Sequence, residues 1–195
     1  MHKLTYLVLP PKCELHRAST YRLWFDVYAR EMGRNWAYAD FRRKIIVDRF
    51  EPMSWLYVAR YGRKIVGSFR LTFWNNVCLS NYLKLFNIDR TDSSRICVGT
   101  RLMVASDFRS QGIAKRLIRN ALELVHGIGN IKLFVDCNKP VNKIFHTFGF
   151  KTRKSDIEQC EAIIHLSGAN IGRWPWTPAY QKSIVTSRVD TTRQW

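Results

Sequence analysis

From Tyr21 to Met32 apolar residues return every three or four positions, with Leu23, Val27 and Tyr28 inward. That spacing predicts an amphipathic helix, and Gly33 is placed to stop it. A second helix is expected over Tyr38–Phe50. Trp55–Arg60 and Lys64–Trp74 are strand-like, and Tyr61-Gly62-Arg63 between them supplies the glycine a tight hairpin needs. Asn75–Asp92 is irregular and is assigned to a loop over an active site. Ser94–Ala105 alternates, with Ile96, Val98, Thr100, Leu102 and Val104 on one face of a long strand. From Gly112 the period becomes helical, since Ile113, Leu117, Ala121, Leu124 and Val125 share one stripe, and Gly127 and Gly129 end it. Ile131–Cys137 forms a buried strand, Val141–Phe148 a short helix and Cys160–Leu166 another strand. Two helices, a hairpin, then strand, helix, strand, helix, strand predict a mixed α/β fold.

At 195 residues the chain suits one domain, placed at 1–171, followed by an aromatic, basic tail at 172–195. The tail's Arg173-Trp-Pro-Trp176 and Trp195 would pack back on the domain, wall an acyl pocket or serve an oligomer contact. Met1–Pro10 lacks the pattern of a signal peptide, and no run of about 20 apolar residues would cross a membrane. The five cysteines, Cys13, Cys78, Cys97, Cys137 and Cys160, include no CxxC pair, which argues against a disulfide framework and a zinc site. A reducing cytoplasm fits this usage, and no metal is expected.

The run with the most chemistry is Val104-Ala-Ser-Asp-Phe-Arg109-Ser-Gln-Gly112-Ile-Ala114, joining the long strand to the amphipathic helix. A short glycine-containing loop there turns backbone N–H groups toward one point at a helix N-terminus, which attracts phosphate. Gly112 lets an anion reach the main chain, and Ala114 keeps the first turn slim. Arg109, Gly112 and Ala114 match in register the pyrophosphate-binding pattern of the GNAT acyltransferase superfamily, which the sequence resembles. Asn138 and Phe145-His-Thr-Phe-Gly149-Phe150 resemble the family's later asparagine and terminal Gly-Phe.

The resemblance implies a GNAT fold, with a central mixed sheet flanked by helices. It also implies that the strand ending at Val104 splays from the strand around Val135, leaving a gap for a pantetheine arm. Leu102, Met103, Val104, Arg109, Ser110, Gln111, Gly112, Ile113, Ala114, Lys115 and Asn138 would then hold the donor. A backbone N–H at Met103 or Val104 would stabilise the thioester oxygen as it gains charge. Many relatives carry a tyrosine four residues before the terminal glycine as acid toward the leaving thiol; here that position is Phe145. His146 beside it fits a surface or packing role.

Arg22, Phe25, Arg30-Glu31-Met32, Trp36, Asp48-Arg-Phe-Glu51, Gly67-Ser-Phe-Arg70-Leu71 and Asp92-Ser-Ser-Arg95 resemble the autoinducer synthases and related long-chain N-acyl amino acid synthases. Those enzymes take acyl groups from acyl carrier protein. The resemblance makes Arg22, Phe25, Trp36, Arg70 and Arg95 substrate-binding residues. Asp92 stands where the synthase pattern has glutamate, which favours an N-acyl amino acid synthase-like enzyme over a homoserine-lactone producer.

Independently of the resemblance, an amine nucleophile must lose a proton, so a carboxylate is needed near the thioester. Asp92 is the first candidate and Glu31 the second. Arg70 and Arg95 could hold an acceptor carboxylate by bidentate contacts. Equally, Asp48, Glu51, Arg22, Arg70 and Arg95 could form an ion-pair network that stiffens the N-terminal half. The net charge of +17 implies attraction to polyanions. Arg109, Lys115, Arg116, Arg119, Lys139, Lys143, Lys151, Arg153 and Lys154 would surround the mouth for the arm and steer an acidic carrier protein. The expected donor is acyl-phosphopantetheine on acyl carrier protein, with acyl-CoA or acetyl-CoA as the alternative and no permanently bound cofactor. The acceptor is a small amine. Nucleic-acid binding is a less favoured use of the charge, because no recognised binding motif accompanies it.

Overall fold

A computed structural model of the chain describes residues 3–73, 96–129, 131–156 and 161–165. Asp92, Arg95, the 75–92 loop, Trp74, Cys78, Cys160 and the 172–195 tail lie outside the described residues.

The strands are β1 (Leu4–Leu9), β2 (Ala39–Asp40), β3 (Ile45–Ile46), β4 (Trp55–Tyr61), β5 (Lys64–Phe73), β6 (Ile96–Val104), β7 (Lys132–Asn138), β8 (Lys151–Asp156) and β9 (Glu161–His165). The α-helices are α1 (Arg17–Phe25), α2 (Ile113–Ile128) and α3 (Lys139–His146). Seven strands form one sheet in the order β1-β4-β5-β6-β7-β9-β8, while β2 and β3 pair separately. β6 and β7 run parallel and their neighbours antiparallel. The mixed α/β expectation holds.

The sheet carries a hydrophobic core on each face. On one, Ile113, Leu117, Ala121 and Val125 of α2 pack against Tyr57, Phe69, Leu71 and Cys97, joined by Phe145 and Phe150. On the other, Leu23, Trp24 and Phe25 of α1 pack against Leu9, Leu56, Val58, Ile65 and Met103. The predicted stripe of α2 is thus the stripe it buries, with Leu124 at its margin. The helix runs through Gly127 and ends only at Gly129, whose φ is 74°.

Four expectations are corrected. Tyr38–Phe50 is no helix: Asp40 Oδ1 accepts from the Arg43 N–H at 2.8 Å, Lys44 takes a left-handed φ of 55°, and the chain turns into the β2–β3 hairpin. The β-branched pair Ile45-Ile46 suits that strand. The first helix starts earlier, at Arg17, because the buried Arg17 guanidinium anchors the turn before it, donating to the Pro10 and Cys13 carbonyls. After Phe25 it widens into a π-helical segment, Asp26–Glu31, in which the Met32 N–H reaches back to the Val27 carbonyl. β1 was missed; its residues, half-buried except for the buried Leu9, form an edge strand on β4. Lys151, Arg153 and Lys154, expected beside the mouth, belong to β8, with β7 and β9 between it and β6.

The alternation assigned to β6 also breaks. Opposite Phe69, β6 carries two residues, Arg101 and Leu102, and the pairing passes from Arg70↔Thr100 to Ser68↔Met103. This β-bulge reverses the order of the faces. Cys97 before it and Leu102 and Val104 after it belong to the α2 side, whereas Met103 joins the α1 side.

Candidate functional site

β6 and β7 pair from Ile96↔Lys132 to Gly99↔Val135 and no further, although both strands continue. At the last paired position a side chain would have to displace the buried Phe69 ring: a Cβ on Gly99 would lie 2.7 Å from it. Beyond it the strands part. The cleft that opens has a volume of about 140 Å³ and is walled by Thr100, Arg101 and Leu102 of β6 and Asp136, Cys137 and Asn138 of β7. Tyr28, Arg34, Trp36, Tyr38, Asp48 and Arg70 complete it from the N-terminal half.

The amide direction along β6 follows from one bond. The Ala105 N–H donates to the Val66 carbonyl at 2.9 Å, flanking the pair Gly67↔Val104. That makes Val104 and Gly67 a non-hydrogen-bonded pair, whose N–H and C=O groups point away from each other. The Val104 N–H therefore faces the side from which β7 has departed, while the Met103 N–H faces β5. The Val104 carbonyl, turned the same way as its amide, receives Arg109 Nε at 2.9 Å.

Arg101 sits at the bulge with φ 59°, a conformation that costs a non-glycine residue roughly 1–2 kcal/mol. Its surroundings compensate. Its guanidinium stacks 4.4 Å from the Trp36 ring centroid, 5.0 Å from Tyr28 and 5.3 Å from Trp24, and Nη2 lies 2.9 Å from Asp48 Oδ2. Its carbonyl accepts from the Ser68 hydroxyl at 3.1 Å, and that hydroxyl accepts from Trp24 Nε1 at 2.9 Å. Arg70 reaches both oxygens of the same carboxylate from Nη1, at 2.7 and 2.8 Å, and donates through Nε to the Thr100 hydroxyl. All three charged side chains are buried. Burial pushes the Asp48 carboxyl up, but Arg70 and Arg101 outweigh it and hold it below the usual carboxylate range. Burial raises the Tyr28 phenol, with Arg101 opposing and Asp136 adding to the rise.

Glu51 lies elsewhere, paired with Arg17 at 2.5 Å and accepting from the Tyr21 hydroxyl at 2.6 Å. The charges of the N-terminal half therefore form two buried groups, Asp48–Arg70–Arg101 and Glu51–Arg17–Tyr21. Arg22 joins neither; it is exposed beside Asp26, Arg30, Arg43 and Lys44. Phe25 is in the α1 core, edge-on to Phe41. Trp36 and Arg70 do line the cleft. Arg101, Arg34 and Asp136 were not foreseen there. A lone arginine inside the apolar strand Ile96–Val104 was the available signal for Arg101, since a buried cation requires a partner.

At the end of β6 a 3-10 turn, Ser106–Phe108, leads into a loop in which Ser110 and Gly112 both have positive φ, 62° and 76°. Nothing lies within 4 Å of a Cβ placed on Gly112, so the loop has open space at the N-terminus of α2. Lys115 is exposed in the first turn, Ile113 buried and Ala114 half-buried. The Arg109 side chain does not point into that space: it binds the Val104 carbonyl and the Glu31 carboxylate. Gln111 donates to the Asp107 carbonyl at 3.3 Å. Asn138, N-cap of α3, accepts from Arg34 at 3.0 Å across the cleft. Phe145 is fully buried against Phe69 and Phe150, and His146 Nδ1 contacts the Phe150 carbonyl at 2.9 Å.

Among the described residues no group of His, Cys, Asp and Glu side chains could hold a metal ion, and no helix is long and apolar enough to cross a membrane.

Residues 14–150 match the model of the acetyltransferase (GNAT) family. Among solved structures, the AHL synthase LasI superposes with a TM-score of 0.69 at 9% identity, over 85% of this chain and 90% of that one. MesI, a CoA-dependent acyl-homoserine lactone synthase, gives 0.64 at 20% identity over 83% and 86%. An acyl-CoA N-acyltransferase from Pseudomonas aeruginosa gives 0.62 at 13% identity over 85% and 100%. No curated protein sequence matches the chain.

Proposed function

The chain belongs to the acetyltransferase (GNAT) family and is an acyltransferase, and we propose that it moves a medium or long acyl chain from acyl carrier protein to the amine of an amino acid or similar small acceptor. The observation that carries this reading is the cleft itself. β6 and β7 part after Gly99↔Val135, an aromatic wall containing buried arginines lines the space between them, and the same strand runs on to the outward amide of Val104 and the open glycine loop before α2.

The amine nitrogen attacks the thioester carbonyl carbon, the C–S bond breaks, the amine proton passes to a carboxylate, and the departing thiolate takes a proton. The developing oxyanion is assigned to the Val104 N–H, with Met103 relegated to the β5 ladder. Such a donor is typically worth a few kcal/mol. The phosphates of the arm are assigned to the amides of the Ser110–Lys115 loop and helix start. Asp92 remains the first proposed base, and Asp136, a carboxylate in the cleft wall, is added to it. Glu31 is a weaker second choice, because it already holds Arg109. Arg34 and Arg70 are the proposed contacts of an acceptor carboxylate, with Trp36 and Tyr28 as the apolar side of the acceptor site. Lys115, Arg116 and Lys143, all exposed, support docking of an acidic carrier. The catalytic unit is taken as 1–171, with 172–195 as a tail, acting in the cytoplasm.

A second reading, acyl-homoserine lactone synthesis with either donor, draws on the likeness to LasI and MesI. One experiment separates these. The purified chain is given one acyl group on carrier protein or on coenzyme A, with a panel of amino acids or S-adenosylmethionine, and the products are identified by mass spectrometry. An open-chain N-acyl amino acid made from the carrier is the expected product. A lactone, or product from acetyl-CoA alone, would overturn the reading.

A further inference from the structure

The outer side of the α1 layer holds a second concentration of charge, sharing no lining residue with the cleft. Arg22, Asp26 and Arg30 follow one another four residues apart along α1 and the π-helical segment. Arg43 and Lys44 face them from the turn between β2 and β3, and the five side chains line an open depression of about 310 Å³. Four cations and one carboxylate leave a formal charge of +3.

The carboxylate is already engaged: Asp26 Oδ1 accepts from Arg30 at 2.8 Å, and the Arg30 guanidinium lies 5.7 Å from the Phe25 ring centroid. Among the described residues Arg22, Arg43 and Lys44 enter no ion pair. The turn that carries two of them is fixed by the Asp40 cap on the Arg43 N–H and by the left-handed Lys44, and Phe41 holds the hairpin edge-on against Phe25 at 5.3 Å. Cations gathered from two separate elements around one depression repel each other unless an anion lies between them.

We propose that this depression is an anion site for a phosphate monoester or diphosphate group. A doubly or more highly charged tetrahedral group matches the residual +3, and arginine forks bind its oxygens in pairs. The cations ring one depression instead of forming a track, which suits a discrete phosphate group over a polynucleotide backbone. A bound group would tie the β2–β3 turn to the π-helical segment. Tyr28 on that segment and Tyr38 and Asp48 on the two flanks of the hairpin all wall the acyl-transfer cleft, so occupancy would brace the acceptor side of the enzyme.

The test is calorimetric titration of the full chain with sodium pyrophosphate at constant ionic strength, with folding of each variant checked by circular dichroism. Two binding events are expected in the wild type. Arg22→Gln/Arg43→Gln should weaken one about tenfold or more, as the loss of two charge-assisted contacts requires, and Lys44→Gln should weaken the same event. Gly112→Val should weaken only the other. An unchanged isotherm for the folded Arg22→Gln/Arg43→Gln variant would overturn the proposal whatever Gly112→Val does. So would binding of a single-stranded oligonucleotide through Arg22 and Arg43 with no response to pyrophosphate.

Discussion

Arg101 and Asp48, 53 positions apart in the chain, meet in the interior with Nη2 2.9 Å from Oδ2. The same carboxylate holds Arg70, so two buried cations share one anion. Asp48→Asn should therefore destabilise the fold by about 3–5 kcal/mol, the usual result of stranding buried charge. Urea unfolding measures it, and a loss below 1 kcal/mol would mean that the arginines find other partners.

The same carboxylate sets a pH dependence. Its folded pKa is depressed by Arg70 and Arg101 despite burial, so its contribution is complete above the unfolded value near 4 and is lost as pH falls through the folded one. Glu51 has the opposite sign: burial raises it, against Tyr21 and Arg17, so its contribution weakens as pH rises above the unfolded value. The stability gap between wild type and Asp48→Asn should accordingly be widest at neutral pH and shrink below about pH 4. A gap constant down to the acid transition would contradict this.

Local patterns made the framework legible. The Ile113–Val125 stripe, the Gly62 turn and the glycine loop before α2 each depend on residues close in sequence, and each formed as expected. The β6 bulge did not, because it depends on Ser68, Asp48 and three aromatic rings drawn from α1, the π-helical segment and the strap after it. The β2–β3 hairpin was hidden for a different reason. Its apolar spacing also fits a helical period, and the Asp40 cap and left-handed Lys44 decide the matter. In the site, residue types were readable but partners were not: Arg70 found Asp48, while the other partners were Arg17 and Arg101 in place of Arg22.

Gly112→Val should reduce donor binding at least about tenfold, or 1.4 kcal/mol. No protein atom opposes the new Cβ. The variant should stay folded, carrying only the roughly 1–2 kcal/mol cost of a left-handed non-glycine residue. Donor titration and thermal unfolding are measured on the same preparation. Retained affinity would remove the phosphate-cradle assignment.

Asp92→Asn and Asp136→Asn keep size and polarity but remove a proton acceptor. The variant that replaces the base should lose about 10²–10⁴ in kcat with donor affinity intact. If neither variant slows turnover, proton removal does not depend on either side chain.

Arg116→Glu/Lys143→Glu should slow transfer from an acyl carrier protein about tenfold or more through lost steering, and added salt should slow the wild type in the same direction. Transfer of the same chain from coenzyme A should change less. Equal losses with both donors would point to coenzyme A as the natural donor.

The bulge at Arg101 makes β6 a strand of two phases. Its first half presents odd-numbered residues to α2 and its second half even-numbered ones, and the extra residue that separates the two phases is Arg101. Removing Arg101 would leave Leu102 alone opposite Phe69 in an unbroken ladder, with Val104 still paired to Gly67 and every remaining side chain on its present face, so the extra residue serves to place a cation between Asp48 and the Trp36 ring. The irregularity thus inserts a charge into the interior without disturbing the strand on either side of it.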